Sequence, residues 1–243
     1  MSVKKIIILN TKPAKFGEHT DELTPDMFVS SLPVQHSHSY YENDDLGLYI
    51  GVWDTTEMIE TPAPYADDEF MTIIEGAVEI KNNNTGKIET VLADESFVIP
   101  RGYDCQWHQQ GYLRKFYIIS AHPDEEMPAK PVVESIVYVN DKRNKAFTMT
   151  SDGHHKKELY VDHYKRFSAG IWYCNILNTP LMEYPDNEFL LINSGVLIAI
   201  DEDANEQIFK QGDALFIPQG ALYKWRVTNN VTITYAKIKG KPV

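Results

Sequence analysis

The chain is poor in cysteine, in positive charge and in long apolar runs, and each shortage excludes a class of protein. Only Cys105 and Cys174 occur among 243 residues. Two cysteines make no disulfide framework and are typical of reduced thiols in a cytosol. Lys and Arg number 23 against 35 Asp and Glu, so the net charge is −12. Because such a surface repels the phosphates of nucleic acids and anionic membranes, we expect a protein that binds neither. From the cysteines we expect a cytoplasmic location.

Apolar runs that could direct secretion or cross a membrane are also missing. The start of the chain, MSVKKIIILN, has an apolar run of only four residues, from Ile6 to Leu9. A secretory signal needs roughly 7–15 apolar residues, and a transmembrane helix needs about 20. We therefore interpret the N-terminal run as a β-strand.

The chain does contain an internal repeat. The stretch DEFMTIIEGAVEI, which begins at Asp68, parallels NEFLLINSGVLIA, which begins at Asn187. Gly51 precedes Glu69 by 18 positions, and Gly170 precedes Glu188 by the same 18. Further on, DESFVIPRGYDCQW parallels GDALFIPQGALYKW, and in both blocks the proline and the tryptophan are 7 positions apart. Agreement in both identity and spacing indicates a tandem duplication.

Each repeat has the pattern of β-structure. The repeated blocks are rich in β-branched and aromatic residues, are interrupted by a glycine, and end in polar or Pro-x-Gly turns. No segment of convincing length has a helical period. We predict an all-β chain of two tandem jelly-roll barrels. The predicted domains are 1–122, a barrel with an N-terminal arm; 123–150, a connection containing prolines; and 151–243, the second barrel.

The repeated blocks resemble the two motifs of the cupin superfamily. A glutamate, six residues and a glycine end the first cupin motif, and both copies have this spacing. GDALFIPQG matches the second motif, whereas DESFVIPRG has Asp94 and Glu95 in place of the usual Gly-Asp. Trp107 and Trp225 resemble the subgroup that includes ureidoglycine aminohydrolase. The resemblance covers roughly residues 46–120 and 165–240, and it implies two double-stranded β-helix (cupin) barrels, that is, a bicupin, but no particular activity.

The residues that bind metal in many cupins are replaced here. Metal-binding cupins place two histidines six and four positions before the motif glutamate, and a third histidine three positions after the Pro-x-Gly glycine. In the first copy these places hold Ala63, Tyr65 and Cys105, and in the second they hold Met182, Tyr184 and Tyr223. Because one glutamate per barrel falls short of the three or more ligands of a stable divalent site, we predict no metal and no cofactor. The same losses argue against manganese-dependent ureidoglycine deamination.

Two histidines near the front of the chain, His36 and His38, have the spacing of a metal pair but lie 33 and 31 positions before Glu69. We interpret them as partly exposed polar residues on a strand, because spacing alone often misleads. The alternative of a non-standard metal site that combines them with His154, His155 or His163 stays open.

The residues left in the barrels allow metal-free chemistry. Strand alternation places Ala63, Tyr65 and Glu69 on the inner face of the first barrel, with Cys105 and Trp107 facing the same space from a neighbouring strand. We predict Glu69 and Tyr65 as the catalytic pair, since a desolvated Glu69 would have a raised pKa and could move a proton. The predicted ligand-binding residues are Cys105, Trp107, Arg101, Arg114, Tyr184, Glu188, Tyr223 and Trp225.

Three functions remain open from the sequence. The first is a binding module for a small polar metabolite, and the second is a metal-free isomerase or hydrolase that uses Glu69 and Tyr65. The third is an assembly role, in which barrels pair through sheet edges, for example in a homodimer. A structural alternative accompanies each residue, since a recurring glutamate, a buried tryptophan and a buried thiol all occur in protein cores.

Overall fold

The computed structural model describes residues 4–122, 124–140 and 154–240, and this part of the chain is almost entirely β. Its helices are two single 3-10 turns, Pro25–Met27 and Asp44–Leu46. No helix in these ranges is long and apolar enough to cross a membrane. The prediction of an all-β chain with two jelly-roll barrels is confirmed.

The chain divides into two compact units. One unit is Asn10–Tyr138, and the other combines Met1–Leu9 with Val139–Val243. The first strand, β1 (Ile7–Leu9), belongs to the second unit, where it pairs antiparallel with a later strand. The predicted boundaries at 122 and 150 remain a prediction.

The first barrel consists of two facing sheets. One sheet has the strand order β12-β9-β6-β11-β3-β2, and the other has the order β4-β10-β7-β8, with β5 pairing to β10. The strands are β2 (Gln35–Asn43), β3 (Leu48–Thr55), β4 (Met58–Ile59), β5 (Ala63–Pro64), β6 (Asp68–Glu75), β7 (Ala77–Asn82), β8 (Ile88–Leu92), β9 (Ser96–Ile99), β10 (Asp104–Gln109), β11 (Leu113–Ser120) and β12 (Val137–Tyr138).

The second barrel repeats this arrangement. Its sheets have the orders β1-β20-β17-β22-β14-β13 and β15-β21-β18-β19, with β16 pairing to β21. The strands are β13 (His154–Val161), β14 (Phe167–Cys174), β15 (Leu177–Asn178), β16 (Met182–Glu183), β17 (Asn187–Ser194), β18 (Val196–Ile200), β19 (Glu206–Lys210), β20 (Ala214–Ile217), β21 (Leu222–Val227) and β22 (Val231–Ile238). The duplication seen in the sequence is therefore present strand by strand.

The glycines that mark the repeat have a steric reason. Gly51 on β3 faces Tyr117 on β11, and a Cβ at Gly51 would collide with the tyrosine hydroxyl. Gly170 on β14 faces Tyr235 on β22 in the same way. Only glycine leaves room for an inward tyrosine at this point of each barrel.

Each barrel has its own apolar core. The core of the first barrel includes Met71, Ile80, Phe97 and Trp107, all 3% exposed or less. The core of the second barrel includes Leu190, Leu197, Trp225 and Tyr235. Side chains of the motif strands β6 and β17 fill both cores, which places the motif glutamates at the edge of the barrel interior.

Candidate functional site

Strand β6 positions Glu69 at the inner wall of the first barrel, where it contacts two groups. Tyr65, on the loop after β5, donates a short hydrogen bond from its hydroxyl to Glu69 Oε2. Lys115 on β11 places its Nζ 2.8 Å from Glu69 Oε1. Lys115 is 7% exposed and Glu69 is 6% exposed, so this is a buried ion pair.

Two indoles surround the buried ammonium. The Nζ of Lys115 lies 4.9 Å from the ring centroid of Trp53 and 4.8 Å from that of Trp107. It also lies 3.0 Å from the Sδ of Met71. The negative faces of the two rings stabilise a cation that burial has stripped of water. Lys115 is thus held in place by one carboxylate and two aromatic rings.

A second carboxylate, Glu60, lines the same space. Burial raises the pKa of Glu60 to about 7, the charge of Glu69 adds to this rise, and the ammonium of Lys115 opposes it. A carboxyl with a pKa near neutrality can both give and take a proton at physiological pH. Glu60, Glu69 and Tyr65 therefore form a partly buried group of acid–base side chains that lines one cavity with Lys115.

The first barrel contains two adjoining cavities. The larger, of about 420 Å³, is lined by Trp53, Glu60, Tyr65, Glu69 and Lys115, among others. The smaller, of about 170 Å³, shares Glu60 and Tyr65 with the larger and is lined on its other side by Ala63, Cys105 and Trp107. The structure therefore brings together four of the predicted residues, namely Tyr65, Glu69, Cys105 and Trp107.

The thiol and the phenol of this site are held in their neutral forms. Burial raises the pKa of Cys105 to about 12, with Glu60 and Asp104 adding to the rise. Burial and the neighbouring carboxylates Glu69 and Glu60 raise the pKa of Tyr65 well above its ordinary value. Cys105 is therefore not an activated nucleophile, because the thiolate is the reactive form.

The two predicted arginines lie outside these cavities. Arg101 donates from Nε to the carbonyl of Ala66 at 3.1 Å and from Nη2 to the carbonyl of Glu125 at 2.6 Å. Arg114 donates to Asp54 Oδ2 at 3.3 Å. Because strand residues alternate in direction, Arg114 lies on the opposite face of β11 from its neighbour Lys115.

The carboxylate of Asp54 also explains one of the front histidines. His36 Nδ1 lies 2.7 Å from Asp54 Oδ1, and the Tyr112 hydroxyl donates to Asp54 Oδ2 at 2.6 Å. The ring of His38 packs edge-on against that of Tyr40, with the centroids 4.7 Å apart. The side chain of His154 lies outside the described residues, and a metal site shared with His154, His155 or His163 stays an open alternative.

The second barrel has a similar cluster with a differently placed lysine. The Tyr184 hydroxyl donates to Glu188 Oε2 at 2.8 Å, and Lys156 Nζ lies 3.0 Å from Glu188 Oε1. Burial and the charge of Glu188 raise the pKa of Tyr184 well above its ordinary value. Lys156 lies on β13. The position on β22 that matches Lys115 is Ile233, which pairs with Trp172 as Lys115 pairs with Trp53 in the first barrel.

A cavity of about 390 Å³ opens beside this second cluster. Of the predicted residues, Tyr184, Glu188 and Trp225 line it. The fourth, Tyr223, is 3% exposed in the core, and its hydroxyl accepts a hydrogen bond from the backbone N–H of Ile6 at 3.1 Å. Tyr223 therefore helps to hold β1 against the second barrel.

Sequence reasoning missed three charged residues of these clusters, Glu60, Lys115 and Lys156. A signal for Lys115 was present in the run LRKFYII, because Lys115 has the same strand parity as Leu113 and Tyr117, which face inward. Glu60 and Lys156 lie on segments outside both motifs, and nothing in the sequence pattern relates them to Glu69 or Glu188.

Comparisons with known proteins agree with this fold. Residues 161–237, in the second barrel, match the family model described as EutQ-like cupin domain. No curated protein sequence matches the chain. The family match identifies residues 161–237 as a cupin domain, and the chain shares its fold with the solved structure of a cupin protein.

Several solved structures share the two-barrel architecture. A protein of unknown function of the DUF861 family from Pseudomonas syringae pv. tomato superposes with a TM-score of 0.73 at 17% identity, over 96% of this chain and 99% of its own. A cupin 2 conserved barrel domain protein from Leptotrichia buccalis gives 0.62 at 12% identity, over 88% and 100%. Ylba from E. coli, also of the DUF861 family, gives 0.58 at 11%, over 100% and 94%. At these identities the likeness shows the fold and not the activity.

Proposed function

We propose that the chain is a metal-independent bicupin that binds a small polar metabolite in the cavity of its first barrel. The observation that carries the proposal is the ammonium of Lys115, 2.8 Å from Glu69 Oε1. Where metal-binding cupins hold a cation beside this glutamate, the first barrel supplies a covalently attached cation. Ala63, Tyr65 and Cys105 at the other ligand places do not fit a divalent ion, because the Tyr65 hydroxyl donates a hydrogen bond to Glu69 and the Cys105 thiol is neutral.

The lining of the cavity supports a polar ligand. Besides the charged cluster, it carries hydrogen-bonding groups from β2 and β3 and from β11, namely Gln35, Ser37, Glu42, Tyr49 and Tyr117. A volume of about 420 Å³ lies within the range of small-molecule sites. Cavities in both barrels favour binding over a role in assembly alone, for which a filled interior would suffice.

Elemental analysis tests the metal independence. We expect protein purified without chelator to hold no stoichiometric Mn, Fe, Ni or Zn, and its melting temperature to be unchanged by EDTA or by added Mn²⁺ or Zn²⁺. The proposal would be overturned if the protein held stoichiometric metal and if chelation removed both the metal and stability. That metal should then be absent from the double variant Glu69→Gln, Glu188→Gln.

A thermal-shift screen tests the ligand. A panel of amino acids, sugars and hydroxy acids should contain compounds that raise the melting temperature, since a ligand that binds only the native state stabilises it. The shift should disappear in Glu60→Gln and persist in Lys156→Met, which alters only the second barrel. A panel without any stabilising compound would count against the binding module.

A second candidate function, a metal-free acid–base enzyme, is favoured by Glu60. Its pKa of about 7 supplies a proton-transfer group in the cavity that Glu69 and Tyr65 also line. On this proposal Glu60→Gln and Glu69→Gln each abolish turnover of a bound metabolite without loss of fold. An unchanged rate in both variants would remove it.

We also retain the relationship to the ureidoglycine aminohydrolase subgroup as a proposal about ancestry, supported by the tryptophans after the second motif. Its activity is not proposed here. The metal places of the second barrel hold Met182, Tyr184, Glu188 and Tyr223, of which Tyr223 serves to anchor β1. A cytoplasmic location, a homodimer and the lack of nucleic-acid and membrane partners stay predictions.

A further inference from the structure

The cavity of the second barrel differs in character from that of the first. Its wall is largely apolar, formed by Trp172, Leu177, Met182, Leu190 and Leu197. Its volume of about 390 Å³ is within the range of small-molecule sites, which are mostly apolar with a few convergent polar groups. The polar groups that line it therefore determine which ligand it accepts.

One of these polar groups is an indole N–H without a partner. Trp225 is 6% exposed, and among the described residues nothing accepts a hydrogen bond from its Nε1. In the first barrel the matching Trp107 donates from Nε1 to Gln109 Oε1 at 3.0 Å. The position that matches Gln109 is Val227, which has no acceptor atom in its side chain. The substitution of valine for glutamine thus leaves a buried donor unsatisfied, which is costly unless a ligand supplies the acceptor.

A second unsatisfied group lines the same cavity. Tyr235 is 1% exposed, and its hydroxyl has no hydrogen-bond partner in the described part of the chain. Glycine at position 170 leaves room for this tyrosine, because a Cβ there would lie 2.7 Å from its hydroxyl. Two buried donors from neighbouring sheets, one on β21 and one on β22, therefore lack acceptors at one cavity.

The charged groups that line the cavity are two lysines and two carboxylates. Lys156 Nζ lies 3.9 Å from the ring centroid of Tyr235 and pairs with Glu188, and Lys237 Nζ lies 3.3 Å from Asp186 Oδ2. Both carboxylates are thus already paired with lysines. The groups left without partners are donors, and each ammonium has further protons to donate. The formal charges of these four groups cancel, so the unpartnered donors select a ligand that brings acceptor atoms.

We propose that the second barrel binds a small carboxylate with an apolar body. The carboxylate accepts hydrogen bonds from Trp225 Nε1 and the Tyr235 hydroxyl and lies close to Lys156. The apolar body packs against Trp172 and the leucines of the wall. This site is separate from the proposed polar site of the first barrel and does not depend on it.

Calorimetric titration of the full chain with benzoate and phenylacetate tests the proposal, with benzamide as a neutral analogue and benzylamine as a cationic one. We expect both carboxylates to bind at millimolar concentration or below. Benzamide should bind about tenfold more weakly, because hydrogen bonds to a charged acceptor are stronger, and benzylamine should not compete. No binding of either carboxylate, or equal binding of benzylamine, would overturn the proposal.

Matched variants of the two barrels locate the site. Trp225→Phe and Tyr235→Phe each remove one donor and keep an aromatic side chain, the second with the same ring, and each should weaken benzoate binding about tenfold. The matched variant Trp107→Phe in the first barrel should leave the affinity unchanged. Val227→Gln would restore the acceptor found in the first barrel, so it should raise the melting temperature of the free protein and weaken benzoate binding. Loss of affinity in Trp107→Phe, or unchanged affinity in both Trp225→Phe and Tyr235→Phe, would place benzoate elsewhere and refute the inference.

Discussion

The environment of Glu69 depends on a single neighbouring side chain. The sequence predicts a desolvated carboxyl in a pocket that it shares with the side chains of Tyr65, Cys105 and Trp107. In the structure the Lys115 ammonium lies 2.8 Å away, so Glu69 is a member of a buried ion pair. The energetic consequence is a strong mutual dependence, because a buried charge without its partner is costly even where the pair itself contributes little.

Loss of Lys115 should therefore be severe. We expect Lys115→Met to lower the free energy of unfolding by about 3 kcal/mol, since it leaves Glu69 buried without a countercharge. The matched variant Lys156→Met should lower it by less than about 1 kcal/mol, because the Lys156 side chain is 45% exposed. Urea unfolding measures both. Addition of Glu69→Gln should restore most of the stability lost in Lys115→Met, and a double variant less stable than the single one would contradict this account.

Glu60 should make stability depend on pH. Its pKa is raised from 4.5 to about 7, so between these values the folded chain binds more protons than the unfolded chain. The contribution of Glu60 is fully present below about pH 4.5 and is lost as pH rises through about 7. Thermal unfolding of the wild type and of Glu60→Gln at pH 5 and pH 8 isolates the contribution of Glu60 to stability. The variant should gain about 1–2 kcal/mol relative to wild type at the higher pH, and an equal difference at both pH values would contradict the raised pKa.

Strand alternation indicated which residues share a space with Glu69, but the sequence reading did not single out the lysine that lies beside this glutamate. Alternation placed Tyr65, Glu69, Cys105 and Trp107 around one space, and the structure brings these four together. On β11 the sequence reading favoured Arg114, whose side chain pairs with Asp54 instead. Charge and length do not distinguish two adjacent basic residues, whereas Lys115, unlike Arg114, has the parity of the inward-facing neighbours on β11.

At the level of elements, the motif strands of the two barrels have matching registration, as the duplication in the sequence leads one to expect. Glu69 pairs with Ile99 and Glu188 with Ile217, at matching places in the two barrels. The glycine that interrupts each repeat follows a β-bulge, after Ile73 in β6 and after Ile192 in β17. Gly76 and Gly195 have φ of 86° and 81°, a conformation that favours glycine.

The pairing of β1 could not have been predicted from the repeat alone. Its partner, β20, is more than two hundred positions away, as Ile7 pairs with Phe216. The sequence nevertheless carries a trace of this pairing. The segment SIVYVN, which contains β12, parallels KIIILN, which contains β1, and β12 pairs with the matching strand β9 of the first barrel. Each barrel thus gains one short edge strand of the same kind.

The contribution of β1 to stability can be measured with two isoleucines of the same strand region. Ile6 is 8% exposed and belongs to the core of the second barrel, whereas Ile8 is 50% exposed. We expect Ile6→Ala to lower the free energy of unfolding by about 2 kcal/mol and Ile8→Ala to lower it by less than about 0.5 kcal/mol. Urea unfolding followed by tryptophan fluorescence measures both. Equal losses in the two variants would mean that β1 does not pack as described.

At the level of the whole molecule, composition and charge narrowed the class of protein without identifying a function. An all-β chain with two barrels followed from the repeat and from strand-like patterns. The residues that surround the motif glutamates could not be predicted from the repeat. Glu60, Lys115 and Lys156 lie on strands and loops outside the motifs and act on Glu69 or Glu188 only in the folded chain. A fold motif fixes where a glutamate lies, while tertiary structure decides what surrounds it.

The division into units predicts how the chain behaves when cut. Residues 10–138 contain all the strands of the first barrel, so this piece should unfold cooperatively by itself. The piece 139–243 lacks β1, which leaves β20 as an unpaired edge and removes Ile6 from the core. Exposed strand edges promote aggregation. We therefore expect this piece to be unstable and prone to aggregation, and to become soluble and cooperative when residues 4–9 are joined to it by a flexible linker.

Circular dichroism and gel filtration compare the three pieces, with Ile6→Asp in the linked piece as the control that should cancel the rescue. If the unlinked piece were as stable as the linked one, β1 would not be an integral strand of the second barrel.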